Sequence, residues 1–279
     1  MQLVRIQAFF MEFFSLPKSY QQSRAPVLKI DLFRLFLHLY QPIMKEEYVK
    51  WFSPNLGQET EMLIFGTSGR PVIIFPTSMG KYYQNRDFKL IDSVAWFVDN
   101  GLVKIYCPDS VDEHSFYEEM IHPAERIRRH TIYDRFILDE VVERASSETG
   151  QHKVTVAGCS FGGYQAINFA FRHPDRVNNV FSMGGAFDIT NHMDGYYDEN
   201  VYYNNPVDFL AGLNDENLWK MGIVLGVGEH DFCLPQNYRL AEIMARKGMS
   251  YWLDIRPGMP HDWPAWREML PTYFGRMDF

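Results

Sequence analysis

Val154-Thr155-Val156-Ala157-Gly158-Cys159-Ser160-Phe161-Gly162-Gly163 is the stretch on which the reading of this chain turns. Val154 to Ala157 reads as a short β-rich run, and Tyr164 to Arg172 continues after the glycines with helical periodicity. Gly158-Cys159-Ser160-Phe161-Gly162 fits G-x-S-x-G between a strand and a helix, the setting in which that pattern has chemical meaning. A serine in so sharp a turn sits on strained backbone, and a side chain at either flanking glycine would collide with the neighbouring strand or helix. The turn lifts the hydroxyl clear of the sheet and sets the Phe161 N–H at a helix N-terminus, where negative charge is favoured. Ser160 is the expected nucleophile and Phe161 one expected oxyanion donor.

Outward from this turn the chain alternates between two kinds of segment. Short β-rich runs fall at Tyr48 to Ser53, Glu61 to Phe65, Val72 to Phe75, Val103 to Tyr106, Val154 to Ala157, Val180 to Met183, Gly222 to Gly226 and Tyr251 to Ile255. Helical spacing occupies Phe88 to Val98, Ile132 to Arg144, Tyr164 to Arg172, Asn237 to Lys247 and Trp263 to Tyr273. Close early strands followed by strict alternation predict an α/β fold: a mostly parallel central sheet with antiparallel N-terminal strands and helices on both faces. Such sheets carry their chemistry beyond the carboxyl ends of the strands.

A serine hydroxyl is a weak nucleophile until a base takes its proton, so a histidine and an orienting carboxylate are required. The elbow motif implies the chain order Ser, acid, His. Four histidines follow Ser160: His173, His192, His230 and His261. His173 reads as the end of the elbow helix, on the far side of the sheet, and His192 falls in an excursion between strands. His261 lies in the loop after the last strand, just before the final helix, and is the expected base. Asp231, after the penultimate strand in Gly228-Glu229-His230-Asp231, is the expected acid. Glu229 is its nearest rival, then Asp188, while Asp262 would have to fold back sharply on its neighbour.

The second oxyanion donor should come from the loop after an early strand. In Phe75-Pro76-Thr77-Ser78-Met79-Gly80 the expected donor is the Ser78 amide, with Met79 next. Tyr82, Tyr83 and Trp263, with Trp266 nearby, are candidate substrate-binding rings. The insert Gly195 to Asn205 adds Tyr196, Tyr197, Tyr202 and Tyr203. These rings either form a pocket wall with hydroxyl handles or pack the loop layer.

Composition narrows the classes. The 279 residues are 46% hydrophobic and 22% charged, ample for a buried core. A net charge of −8 and the lack of a long basic run oppose nucleic-acid binding. The cluster Arg126, Arg128, Arg129 and His130 reads as a solvated helix face. Cys107, Cys159 and Cys233 are far apart, without a CxxC pair, which speaks against a disulfide framework or zinc site and fits a reducing compartment, hence a cytoplasmic location. No HExxH or comparable metal-ligand set is present. No apolar run is long enough to span a bilayer. Residues 1–43 read as an aromatic-rich helical leader: an appendage on the main domain, a membrane-surface helix, or a segment upstream of a native start at Met44. The strand pattern that begins directly after Met44 favours the last, with a catalytic domain over residues 44–279.

From about Glu46 onward the chain resembles the α/β-hydrolase superfamily, in particular the esterase branch that includes esterase D (S-formylglutathione hydrolase) and the antigen 85 mycolyltransferases. Ser160-Phe161-Gly162-Gly163-Tyr164-Gln165-Ala166, the exit Phe171-Arg172-His173-Pro174-Asp175-Arg176-Val177, the spacing Gly228 to Asp231, and His261 before Trp263 carry the resemblance. It implies a serine hydrolase that cleaves small-molecule carboxylic esters through an acyl-enzyme, without a cofactor. Two features depart from it: Pro76-Thr77-Ser78-Met79 replaces the Asp-Gly-Leu or Ser-Gly-Leu type of oxyanion loop, and the insert Gly195 to Asn205 matches no family element. The alternatives are acyl transfer by the same triad, or a non-catalytic binding protein on a hydrolase fold.

Overall fold

The structure is a computed structural model and describes residues 44–278; the expectation for the leader lies outside them. Eight strands form one sheet: β1 (Glu46–Ser53), β2 (Gln58–Phe65), β3 (Arg70–Phe75), β4 (Val103–Pro108), β5 (Val154–Cys159), β6 (Val177–Met183), β7 (Gly222–Gly228) and β8 (Trp252–Arg256). Their order is β1-β2-β4-β3-β5-β6-β7-β8. β1 pairs antiparallel with β2, and β2 antiparallel with β4; every other pairing is parallel. Each run expected as a strand is one.

The burial of the strands follows from their place in this order. β5 sits mid-sheet and all six of its residues are buried, as a strand covered on both faces must be. At the edge, β1 is largely exposed. Alternation splits β3 between two cores: Ile73 and Phe75 face one side, Val72 and Ile74 the other.

The first side is covered by α1 (Pro123–Phe136), α3 (Phe161–Arg172) and α4 (Leu234–Arg246); α1 continues through a π-helical turn, Ile137–Val142, into α2 (Glu143–Thr149). Tyr133, Ile167 and Leu240 enter that core. Helix α5 (Trp263–Phe274) covers the second side with Met269, Leu270 and Phe274, beside Leu90, Ile91 and Val94. Burying a side chain of this size contributes about 1.5–3 kcal/mol, so these rows account for much of the driving force.

The helix expected over Phe88 to Val98 is broken. Leu90, Ile91, Val94 and Val98 have helical spacing and are buried, but Lys89 adopts φ 65°. The segment becomes three short helices, Gln84–Asp87, Leu90–Ser93 and Ala95–Asp99. The basic cluster also divides: Arg126 and His130, one turn apart on α1, are buried, while Arg128 and Arg129 pair with Glu125. A solvated face therefore describes only the latter two.

Candidate active site

Ser160 stands between the end of β5 and the first residue of α3. Its backbone has φ 55° and ψ −123°, a conformation that side-chain-bearing residues rarely adopt. The Ser160 N–H donates to the Met183 carbonyl at the end of β6 at 2.8 Å, which ties the apex to the sheet. Glycine is required on either side: a Cβ on Gly158 would strike the Gly162 carbonyl, and one on Gly162 would lie 2.5 Å from the Pro76 carbonyl oxygen.

Two loops bring the other side chains to the serine. His261 follows β8 and Asp231 follows β7, and the strands are parallel neighbours. The loops are joined by backbone bonds, Glu229 N–H to the Arg256 carbonyl at 2.9 Å and His230 N–H to the Met259 carbonyl at 3.0 Å. His261 Nε2 lies 2.9 Å from Ser160 Oγ, and its Nδ1 lies 2.8 Å from both carboxylate oxygens of Asp231. The Asp231 side chain is fully buried and also accepts the Cys233 N–H at 2.7 Å, whereas His261 keeps 12% exposure. Phe232, 76% exposed, packs at 4.2 Å between ring centroids on the imidazole, and the Trp266 ring stands perpendicular to it at 5.0 Å.

The rival acids have other employment. Glu229 accepts the Gly258 N–H, Asp188 pairs with Arg239, and Asp262 caps α5 through the Trp263 N–H. His173 ends α3 and bonds Asp134, and His192 packs among aromatic rings. Asp231, Cys233 and His261 place potential metal-ligand atoms within 4.8 Å of one another. Two of the three already hold each other in the hydrogen-bonded chain to Ser160. Burial, followed by the Asp231 charge, pushes the Cys233 thiol up to about 12, so it stays protonated near neutrality.

Of the amides expected as oxyanion donors, Phe161 N–H opens α3 and has no acceptor one turn back, as at any helix start. In the loop after β3, Thr77 N–H donates to Gln84 Oε1 at 2.8 Å, Gly80 N–H to the Thr77 carbonyl at 2.9 Å, and Met79 N–H to Asp112 Oδ2 at 2.6 Å. Met79 thus has its amide directed at Asp112, and Ser78 alone among these four has an N–H without an acceptor among the described residues.

The expected substrate-binding rings pack as follows. Tyr82 packs between Tyr48 of β1 and Tyr83, and Trp263 stacks on Phe88 at 4.6 Å and touches Trp266. Besides Tyr164 of its own helix, the rings against Phe161 are Tyr117 and Phe116, from the loop after β4, and His192, from the loop after β6. Buried Arg126 fastens these loops together, donating to the carbonyls of Glu118, Glu119, Ile121 and His192. Nothing in the local sequence of Tyr117 or Arg126 signals this, because the partners come from opposite sides of the elbow. A cavity of about 400 Å³ lined by Thr131, Arg172, Tyr203 and Leu213 includes no residue of the serine-histidine pair.

A sheet of this topology with a serine on a strained elbow, in contact with a histidine that contacts a buried carboxylate, defines the α/β-hydrolase class. Within that class, the model of the family described as "Putative esterase" matches residues 75–277, and the chain belongs to that family. It is a carboxylic ester hydrolase. No curated protein matches the sequence. Solved structures share the fold. S-formylglutathione hydrolase from Staphylococcus aureus aligns at 16% identity and TM-score 0.66, over 83% of this chain and 96% of that one. The fluorophosphonate-binding serine hydrolase F of Staphylococcus aureus aligns at 16% identity and TM-score 0.67, over 83% and 97%. A ferulic acid esterase from Anaeromyces mucronatus aligns at 12% identity and TM-score 0.63, over 84% and 90%.

Proposed function

We propose that the chain hydrolyses small-molecule carboxylic esters in two steps through an acyl-enzyme on Ser160, with His261 as base and Asp231 as its orienting acid. The observation that carries this reading is the unbroken run from Ser160 Oγ to His261 Nε2, and from Nδ1 to Asp231. With Nδ1–H donated to the carboxylate, Nε2 is the free base that accepts the serine hydroxyl proton. As Oγ attacks the ester carbonyl, negative charge develops on its oxygen, and the Phe161 and Ser78 amides stabilise it. The imidazolium, held by Asp231, then protonates the leaving alcohol, and the same imidazole later takes a proton from water to release the acid. Rings at Phe161, Tyr117, His192 and Phe232 suit an uncharged acyl or alcohol group, and Arg126, the cation in the contacts above, is already engaged by four carbonyls and Asp194.

Steady-state hydrolysis of a p-nitrophenyl ester tests the roles. Ser160→Ala should lower kcat by at least about 10⁴-fold, and Asp231→Ala by less, because orientation is only part of the effect. Near-normal turnover by a folded Ser160→Ala protein would refute the assignment.

A further inference from the structure

The loop after β3 owes its shape to a side chain from the loop after β4. Met79 has φ 54°, in the left-handed region that a side-chain-bearing residue enters rarely. Its N–H is held by Asp112 Oδ2 at 2.6 Å, and the Ser110 hydroxyl bonds the other carboxylate oxygen. Asp112 is 1% exposed and makes no ion pair among the described residues; Lys81, paired with Glu113, acts on it only from farther away. A carboxylate buried without a direct ion pair is tolerable only when donors satisfy it. Burial pushes its carboxyl up from the ordinary range, while these bonds pull it back. One satisfying donor belongs to the loop after β3, so the buried group and that loop fix each other.

The same segment reaches Ser78 directly. The Tyr117 hydroxyl donates to Ser78 Oγ at 2.8 Å, and the Tyr117 N–H donates to the Asp112 carbonyl at 3.0 Å. The Tyr117 ring then stands edge-on to Phe161, with 5.6 Å between centroids. One short stretch, Asp112 to Tyr117, therefore touches the residues that carry both amides of the oxyanion site.

We propose that Asp112 and Tyr117 are positioning residues that clamp the Ser78 amide where the oxyanion forms; the proposal rests on the esterase mechanism above. Neither touches the reacting atoms. They act by fixing a donor whose displacement by about 1 Å is enough to lose about 10²-fold in rate. Such a donor acts on the transition state far more than on the bound ester, so the loss falls on kcat rather than KM.

The test is kcat and KM for a p-nitrophenyl ester, with thermal unfolding, for Asp112→Ala, Asp112→Asn, Tyr117→Phe and Ser160→Ala. Asp112→Ala should lose about 10- to 100-fold in kcat with KM within about threefold. Asp112→Asn keeps an oxygen for the Met79 N–H and a donor for Ser110, and should recover most of that loss. Tyr117→Phe keeps its ring packing and should lose about three- to tenfold in kcat. Wild-type kcat in folded Asp112→Ala overturns the proposal, as does an Asp112→Asn protein no better than Asp112→Ala. Should Asp112→Ala fail to fold, wild-type kcat in Tyr117→Phe overturns it. A folded, active Ser160→Ala protein would instead bring down the mechanism itself, whatever the clamp variants do.

Discussion

At the scale of single residues, the site is held by positions that do no chemistry. Gly184, in the loop after β6, has φ 64°, and a Cβ there would lie 2.8 Å from Asp231 Oδ2 and 3.0 Å from His261 Nδ1. The first separation is shorter than real Cβ contacts and the second is tight, so a neighbour would have to shift, and the left-handed backbone already favours glycine. Gly184→Ala is therefore expected to push the Asp231–His261 pair apart and cut kcat by about tenfold or more, with a smaller change in thermal stability. Unchanged kcat in the variant would mean that the pair tolerates displacement. That Ser160, Asp231 and His261 meet was legible from sequence, because a serine nucleophile's chemistry would dictate both their types and their order along the chain. Gly184 and Asp112 were not legible, since each matters through an approach between loops far apart in sequence. Aromatic packing was less legible: Tyr82 and Tyr83 pack on each other and Tyr82 on Tyr48 of β1, Trp263 stacks on Phe88 and touches Trp266, and Tyr117 and His192 meet Phe161.

At the scale of elements, α1 and α3 meet through a buried polar network under the nucleophile helix. His130 Nε2 lies 3.2 Å from the Tyr164 hydroxyl and 3.3 Å from Asn168 Nδ2, and Asp134, one turn on, bonds His173 and Arg172. Burial pushes the His130 imidazole down to about 3, with Asp134 pulling the other way. In the unfolded chain the group returns to about 6.5. Between these two values the unfolded state binds a proton that the folded state refuses. Stability is therefore greatest above the unfolded value and falls with pH through the window, by up to about 1.4 kcal/mol per unit from this one group. Thermal melts from pH 7 to pH 4 should show a steeper loss for wild type than for His130→Gln. Parallel slopes would mean that His130 takes up its proton in the folded state. The period of α3 was readable in the sequence, whereas the helix expected over Ile132 to Arg144 took in only the end of α1, the π-helical turn and the start of α2; the inward turn of Arg126 and His130 was not readable, because charged and polar residues at helical spacing read equally well as a solvent face.

At the scale of the whole molecule, the loops after β3, β4, β6, β7 and β8 converge on one serine at the carboxyl end of β5. The sheet order makes this possible: β5 is central, with β3 on one side and β6, β7 and β8 in succession on the other. The strand pattern was legible because the parallel central strands are short runs rich in apolar and β-branched residues bounded by loops. The broken helix after β3 was not, since its apolar spacing hides the left-handed Lys89. The three cysteines are free and buried, and no described helix is long and apolar enough to cross a membrane. Everything functional in this arrangement depends on Ser160 Oγ being an activated nucleophile, and that is open to direct measurement with no knowledge of the natural ester. Intact protein treated with a fluorophosphonate probe, then digested and mapped by mass spectrometry, should carry one adduct, on Ser160, and His261→Ala should slow its formation by several orders of magnitude. A protein that stays unlabelled, or that carries its adduct on another residue, would contradict the account.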